Sequence, residues 1–170
     1  ESFSKIQAKD GVYSILGNHD YGDYHNWDTA TAKKINFKNI LKAHDDMGWY
    51  LLMNENTSIQ RGNDQMKIIG VENWGNGGFK KNGDLDLASK NVDPKDFKIL
   101  LSHDPSHWNE VVKDHNSNCQ LTLSGHTHGM QFGIEIPGWF KWSPARFRYP
   151  QWAGIYKYAK RKINVNRGFG

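Results

Sequence analysis

Sulfur cross-links are almost excluded by composition: the 170 residues contain one cysteine, Cys119. A lone thiol forms neither an intrachain disulfide nor a thiolate metal cage. It does not fix the compartment, because many exported proteins lack disulfides. No apolar run approaches the length of a membrane-spanning helix, and no signal peptide is visible. The glycine-rich stretch 73–83 has no Gly-Lys-Ser/Thr and no clear helix after it, so it is not a phosphate loop. Internal repeats and low-complexity segments are absent. Acidic residues are missing from the last part of the chain: residues 136–170 hold eight Lys or Arg and no Asp or Glu. The whole chain is +4, so the residues before 136 carry −4. A basic tail rich in Trp, Tyr and Phe suggests an anionic partner, namely a phosphorylated substrate, a lipid headgroup or nucleic acid. A basic surface on a soluble domain explains the asymmetry equally well.

What is present fits one soluble domain spanning 1–170 with a real core. Apolar residues make up 37% and charged residues 24%, with seven Trp. Short apolar runs at 12–16, 97–101 and 119–123 read as buried strands. A helix capped by Asp28 or Thr29 should end at Gly48. Residues 49–53 read as a strand, and 57–61 with 66–71 as a hairpin around Gly62-Asn63-Asp64. Segment 73–83 reads as a mobile surface loop. A short helix at 85–90 and an Asp93-Pro94 turn follow. Ser106 should cap a helix through about His115. Residues 131–136 alternate as a half-exposed strand, 137–152 is irregular, and 155–158 with 163–165 form a closing hairpin. Strands and helices are mixed, so the class is α/β or α+β.

Each buried strand ends in a polar cluster. Gly17-Asn18-His19-Asp20 follows the first, Ser102-His103-Asp104-Pro105 the second, and Gly125-His126-Thr127-His128-Gly129 the third. In an extended backbone residues i and i+2 point to one side. If that geometry persists past Ser124, His126 and His128 face one cavity. Neutral imidazole is the commonest side-chain metal ligand. Asn18, His103, His126 and His128 together offer one amide oxygen and three imidazoles, a donor set for borderline divalent ions such as Mn, Fe or Zn. His19 suits a general acid or a donor to a phosphate oxygen, with Asp20 holding its ring and Asp104 acting near His103. His25, His44, His107 and His115 read as ordinary hydrogen-bonded histidines, with His44 and His115 inside helices. Trp139, Trp142 and Trp152 with Arg146 and Arg148 could rest on an anionic membrane interface, but core packing is the favoured reading.

These motifs resemble the calcineurin-like metallophosphoesterase superfamily, whose motifs run D-x-H, G-D-x-x-D, G-N-H-[DE], a strand-end His, and G-H-x-H. Gly17-Asn18-His19-Asp20, His103 and Gly125-His126-Thr127-His128 match the last three in order. The stretches 11–22 and 101–105, Gly129-Met130-Gln131 and Asn166-Arg167-Gly168 are similar to the bacterial YkuE/YaeI-like phosphodiesterase branch. The resemblance implies a four-layer α/β/β/α sandwich lacking its N-terminal strands. It implies a dinuclear site for two divalent ions (Mn, Fe or Zn), at which a metal-bound hydroxide cleaves phosphomono- or diesters. Asn18, His103 and His126 would ligate the second metal and His128 the first. His19, supported by Asp20, would contact phosphate or donate a proton. The first two motifs are absent, and Asp23-Tyr24-His25 has the D-x-H spelling in the wrong place. The chain therefore reads as the C-terminal part of a catalytic domain, expected to be inactive alone and to hold metal weakly or singly. Its parent is expected to be bacterial, with an N-terminal membrane or export segment. Implied partners are a phosphorylated small-molecule or lipid-linked substrate and an anionic membrane surface; nucleic acid is not expected. The alternative is a non-catalytic module, derived from this fold, that binds polyanions or membrane surfaces.

Overall fold

The computed structural model describes residues 3–168. Strand β1 (Tyr13–Ser14) pairs in parallel with β2 (Tyr50–Leu51). Helix α1 (Ala30–Asp46) joins them. It starts where Thr29 Oγ1 accepts the Ala32 N–H at 3.0 Å, and stops at Gly48, whose φ of +68° suits the left-handed end of a helix. The main sheet begins with β3 (Glu55–Arg61) and β4 (Asp64–Gly70). Arg61 pairs with Asp64, so Gly62-Asn63 is the two-residue loop of an antiparallel hairpin. The short helix α2 (Leu85–Ala88) precedes β5 (Phe97–Leu101), and α3 (Pro105–Glu110) precedes β6 (Leu121–Ser124). A separate hairpin of β7 (Ile134–Ile136) and β8 (Phe140–Trp142) follows, then β9 (Gly154–Tyr158) and β10 (Arg161–Val165). The six-stranded sheet has the order β3-β4-β5-β6-β10-β9, with β4, β5, β6 and β10 parallel.

Register explains the layers. Ile69, Leu100, Thr122 and Ile163 form one row across the sheet, all buried against the side that carries α2 and α3. Leu85, Ala88, Trp108 and Val112 complete this core. The next row, Gly70, Leu101, Leu123, Asn164 and Ile155, lies on the opposite face. There the β1–β2 pair packs against Gly70 so closely that an added Cβ would sit 2.3 Å from Leu52 Cβ. Helix α1 contacts β2 on the outer side. The order α1, β1–β2, six-stranded sheet, α2/α3 is an α/β layered sandwich with a small second sheet. That sheet covers Gly70 but leaves Leu123 37% and Ile155 66% exposed.

Several expectations need correction. The 12–16 run yields a two-residue strand in the smaller sheet, not a strand of the main core. Asp104, not Ser106, caps α3: its Oδ1 accepts the Ser106 N–H at 2.8 Å. The cap must precede Pro105, which occupies the first helical position because it has no N–H to satisfy. The helix ends at Glu110, so His115 lies outside it, after the 3-10 turn Val112–Asp114. The 131–136 strand shrinks to Ile134–Ile136 and is exposed throughout, since His128–Gln131 is a 3-10 turn. Segment 137–152 is not irregular: it holds β8 and a 3-10 turn, Pro144–Phe147, capped by Ser143. Loop 73–83 is anchored, with Asn73 buried and its Nδ2 donating to the Lys80 carbonyl at 3.0 Å.

Candidate functional site

Parallel strands β5, β6 and β10 end along one edge, the usual location of sites in such sheets. Backbone hydrogen bonds stitch the loops there. Gly125 N–H donates to His103 O at 2.9 Å, Ser102 N–H to Leu123 O at 3.1 Å, and Asn166 N–H to Ser124 O at 2.8 Å. These bonds place His103, two residues past β5, beside His126, two residues past β6. Asn18 opens a 3-10 turn, Asn18–Tyr21, that follows β1. Its Nδ2 donates to Tyr24 Oη at 2.7 Å, which aims Oδ1 at the histidines. Asn18 Oδ1 lies 2.9 Å from His103 Nε2 and 3.1 Å from His126 Nδ1, and the two nitrogens are 3.1 Å apart. Three separated motifs thus meet at one point. Gly17 permits this: a Cβ there would lie 2.8 Å from the His103 ring.

The far nitrogen of His126 is also engaged. Nε2 lies 2.7 Å from Tyr149 Oη and 3.3 Å from Asp104 Oδ2. Asp104 is buried, and its Oδ2 has no other polar partner among the described residues. Burial, reinforced by the neighbouring charges of His126, His19 and His128, pushes the His103 pKa down to about 3. Burial also lowers that of His126, against the opposing pull of Asp104. Both rings are neutral near pH 7, the state with a free lone pair. Burial and then the Asp104 charge raise the pKa of Tyr149, which keeps its proton.

Residues 1–130 match the family profile described as calcineurin-like phosphoesterase. The chain belongs to that family. It is 30% identical over 168 residues to the uncharacterized metallophosphoesterase YkuE of Bacillus subtilis, covering 98% of this chain and 51% of the relative. To YkoQ of the same organism, also an uncharacterized metallophosphoesterase, it is 21% identical over 169 residues, 99% of this chain and 56% of the relative. An uncharacterized metallophosphoesterase of Aquifex aeolicus is 32% identical over 121 residues, 70% of this chain and 39% of that protein. The chain spans about half the length of the Bacillus relatives it matches. No solved structure matches it at a significant level.

Within this phosphoesterase domain His19, Asp20 and His128 make no hydrogen bond to the triangle among the described residues, although the charges of His19 and His128 act on it. His126 has a φ of +68° and His128 one of +48°, so strand geometry ends at Ser124 and the alternation argument for the two rings does not apply. His128 is exposed and lines a 350 Å³ cavity with Gln131, Trp142, Trp152 and Arg167. His19 is exposed and stacks on Tyr24, ring centres 4.4 Å apart. Asp20 does not hold the His19 ring; its Oδ2 accepts the Gly17 N–H at 2.7 Å and fixes the turn. Asp104 approaches His126 rather than His103. His25 packs edge-on against Trp27, His44 bonds Ser14, His107 bonds Ser102 and His115 bonds Asp86. Among the described residues no group of three His, Cys, Asp or Glu side chains is arranged to hold a metal ion; the third donor near His103 and His126 is the Asn18 amide. The motifs did not announce Tyr24, Tyr149 or Phe79, whose ring meets His126 edge-on at 5.3 Å. Tyr24 lies inside the dismissed Asp23-Tyr24-His25 triplet, and no spacing signal marks the other two.

Proposed function

We propose that this chain carries part of a metal-dependent phosphoesterase site, with Asn18, His103 and His126 as three ligands of one divalent ion. The observation that supports this is the near-equilateral triangle of 2.9, 3.1 and 3.1 Å between their donor atoms. Ligands about 2.1 Å from a common ion stand about 3.0 Å apart on an octahedral face and about 3.4 Å apart in a tetrahedron. The edge lengths favour a six-coordinate ion, as Mn or Fe prefers, over tetrahedral Zn. Ligation through His126 Nδ1 requires the proton on Nε2, where Asp104 Oδ2 and Tyr149 Oη can receive it. A carboxylate behind a ligating imidazole orients the ring and raises its basicity. A bound divalent ion supplies Lewis acidity toward a phosphoryl oxygen.

The chain's own groups do the rest. His128 faces the adjoining cavity as a ligand for a first ion. His19, exposed and with its ring free of hydrogen bonds among the described residues, contacts a phosphate oxygen or gives a proton to the leaving group. The substrate is a phosphomono- or diester, small or lipid-linked. The ligand set carries no charge: Asp20 is spent on Gly17, and Asp104 addresses the far side of His126. Among the described residues no carboxylate joins the ligand face, and Asp104 acts only through the His126 ring, so the chain alone binds one ion weakly and hydrolyses little. Titration calorimetry with Mn²⁺ or Zn²⁺ and turnover of a bis-p-nitrophenyl phosphate test this. The expected result is one weak site, lost in His103→Ala and His126→Ala. Binding that survives both substitutions would falsify the ligand assignment; two tightly held ions with robust turnover would overturn the weak-site reading.

A further inference from the structure

The β7–β8 hairpin is built inside out for a soluble surface. Ile134 pairs with Trp142 and Ile136 with Phe140, which puts four apolar side chains on one face; Glu135 pairs with Lys141 on the other. The polar face is the one held to the domain. Glu135 meets Arg167 at 3.0 Å, while Lys141 donates to the Ala153 carbonyl at 2.6 Å and lies over the Trp152 ring. Most of the apolar face is left uncovered: Ile134, Ile136 and Phe140 are exposed, and Trp139 at the turn is 81% exposed, as is Phe147 just beyond, whereas Trp142 is half-buried beside Phe132 and lines the His128 cavity.

Position and charge narrow the partner. β6 and β10 run parallel and end on the site side, so the hairpin, which follows His128–Gln131, lies at that same end. Exposed Arg146 and Arg148 flank it, and Arg146 has no ion pair among the described residues. After Glu135, which is paired, no acidic residue follows. A second copy of this face would oppose uncompensated cations. Nucleic acid would answer the charge but offer no hydrocarbon to Ile136 and Phe140. A bilayer with anionic headgroups answers both, with Trp at the interface, aliphatics below it and arginines at the phosphates. We infer that the β7–β8 hairpin, with Phe147 and Arg146, docks this domain on an anionic lipid bilayer, site edge toward the membrane. Docking neither needs nor implies hydrolysis, so its failure and that of the phosphoesterase reading are separable.

Vesicle co-sedimentation of the full chain tests it, using phosphatidylcholine with and without phosphatidylglycerol. Binding should require phosphatidylglycerol and fall with salt. Trp139→Ser/Phe140→Ser should bind about ten-fold more weakly with an unchanged melting temperature, since both side chains are exposed. Arg146→Ala should also weaken it. Lys160→Ala/Lys162→Ala, at the opposite end of β10, and Ile35→Ser on α1 should leave it intact. The inference is overturned if wild type stays in the supernatant, if the hairpin variant sediments like wild type, or if the Lys160/Lys162 variant loses binding. It is equally overturned if the hairpin substitutions instead abolish lipid-free self-association or binding to duplex DNA.

Discussion

Mild acid should destabilise this protein through histidines that the fold keeps neutral. Burial, with a contribution from nearby imidazoles, takes the His103 pKa from 6.5 to about 3 and that of His107 to about 4. The unfolded chain therefore binds more protons than the folded one between these values and 6.5. Stability is full above about pH 6.5 and falls as pH drops. Between pH 7 and pH 4.5 each ring costs about 2.5 kcal/mol, roughly 5 kcal/mol together, against the 5–15 kcal/mol of an ordinary domain. Asp10 and Asp23, held low by Arg61 and Lys33, are lost only below their usual range and stay outside this window. Urea unfolding in EDTA at the two pH values measures the loss. His107 separates the contributions, since it sits between Ser102 and the Trp74 ring, away from the triangle. His107→Gln should start less stable at pH 7, yet lose about 2.5 kcal/mol less than wild type on acidification. A wild type that loses under about 1 kcal/mol, or a variant with an undiminished loss, refutes the reasoning.

Two substitutions address the carboxylate behind His126. Asp104→Asn keeps a good helix cap, so unfolding free energy should move by less than about 1 kcal/mol, while Mn²⁺ affinity by calorimetry falls about 10- to 100-fold. Gly75→Ala places a Cβ 2.4 Å from Asp104 Oδ2. Because Asp104 is held by its bond to Ser106, the clash should cost about 1–3 kcal/mol in urea unfolding and weaken Mn²⁺ binding as well.

The sequence announced elements with strong local signals. Strand β5 falls at 97–101 as read, because Phe97-Lys98-Ile99-Leu100-Leu101, apolar but for one lysine, lies between an Asp-Pro turn and Pro105. Gly62-Asn63 marks the β3–β4 turn by chemistry alone. The first apolar run has the same signature as β5, yet pairs with Tyr50–Leu51 in another sheet, because strand partners are set by distant residues. At the site, the meeting of Asn18, His103 and His126 was legible from three motifs at strand ends. The left-handed backbone at His126 and His128 was not, because an alternation argument cannot foresee it. The role of Asp104 was half visible, near a histidine but not the one expected. Tyr149 reaches His126 from a segment read as irregular, where packing rather than pattern places the ring.

The loops bearing His103 and His126 are joined by their own main chains, Gly125 to His103 and Ser102 to Leu123. A one-residue slip of β6 against β5 would reverse which face its side chains present and scatter the donors at the same stroke. A cation that needs all three donors therefore selects the correctly threaded sheet. Adding it should raise the midpoint of unfolding in step with occupancy, which makes the ion a gauge of strand alignment some distance from where it sits.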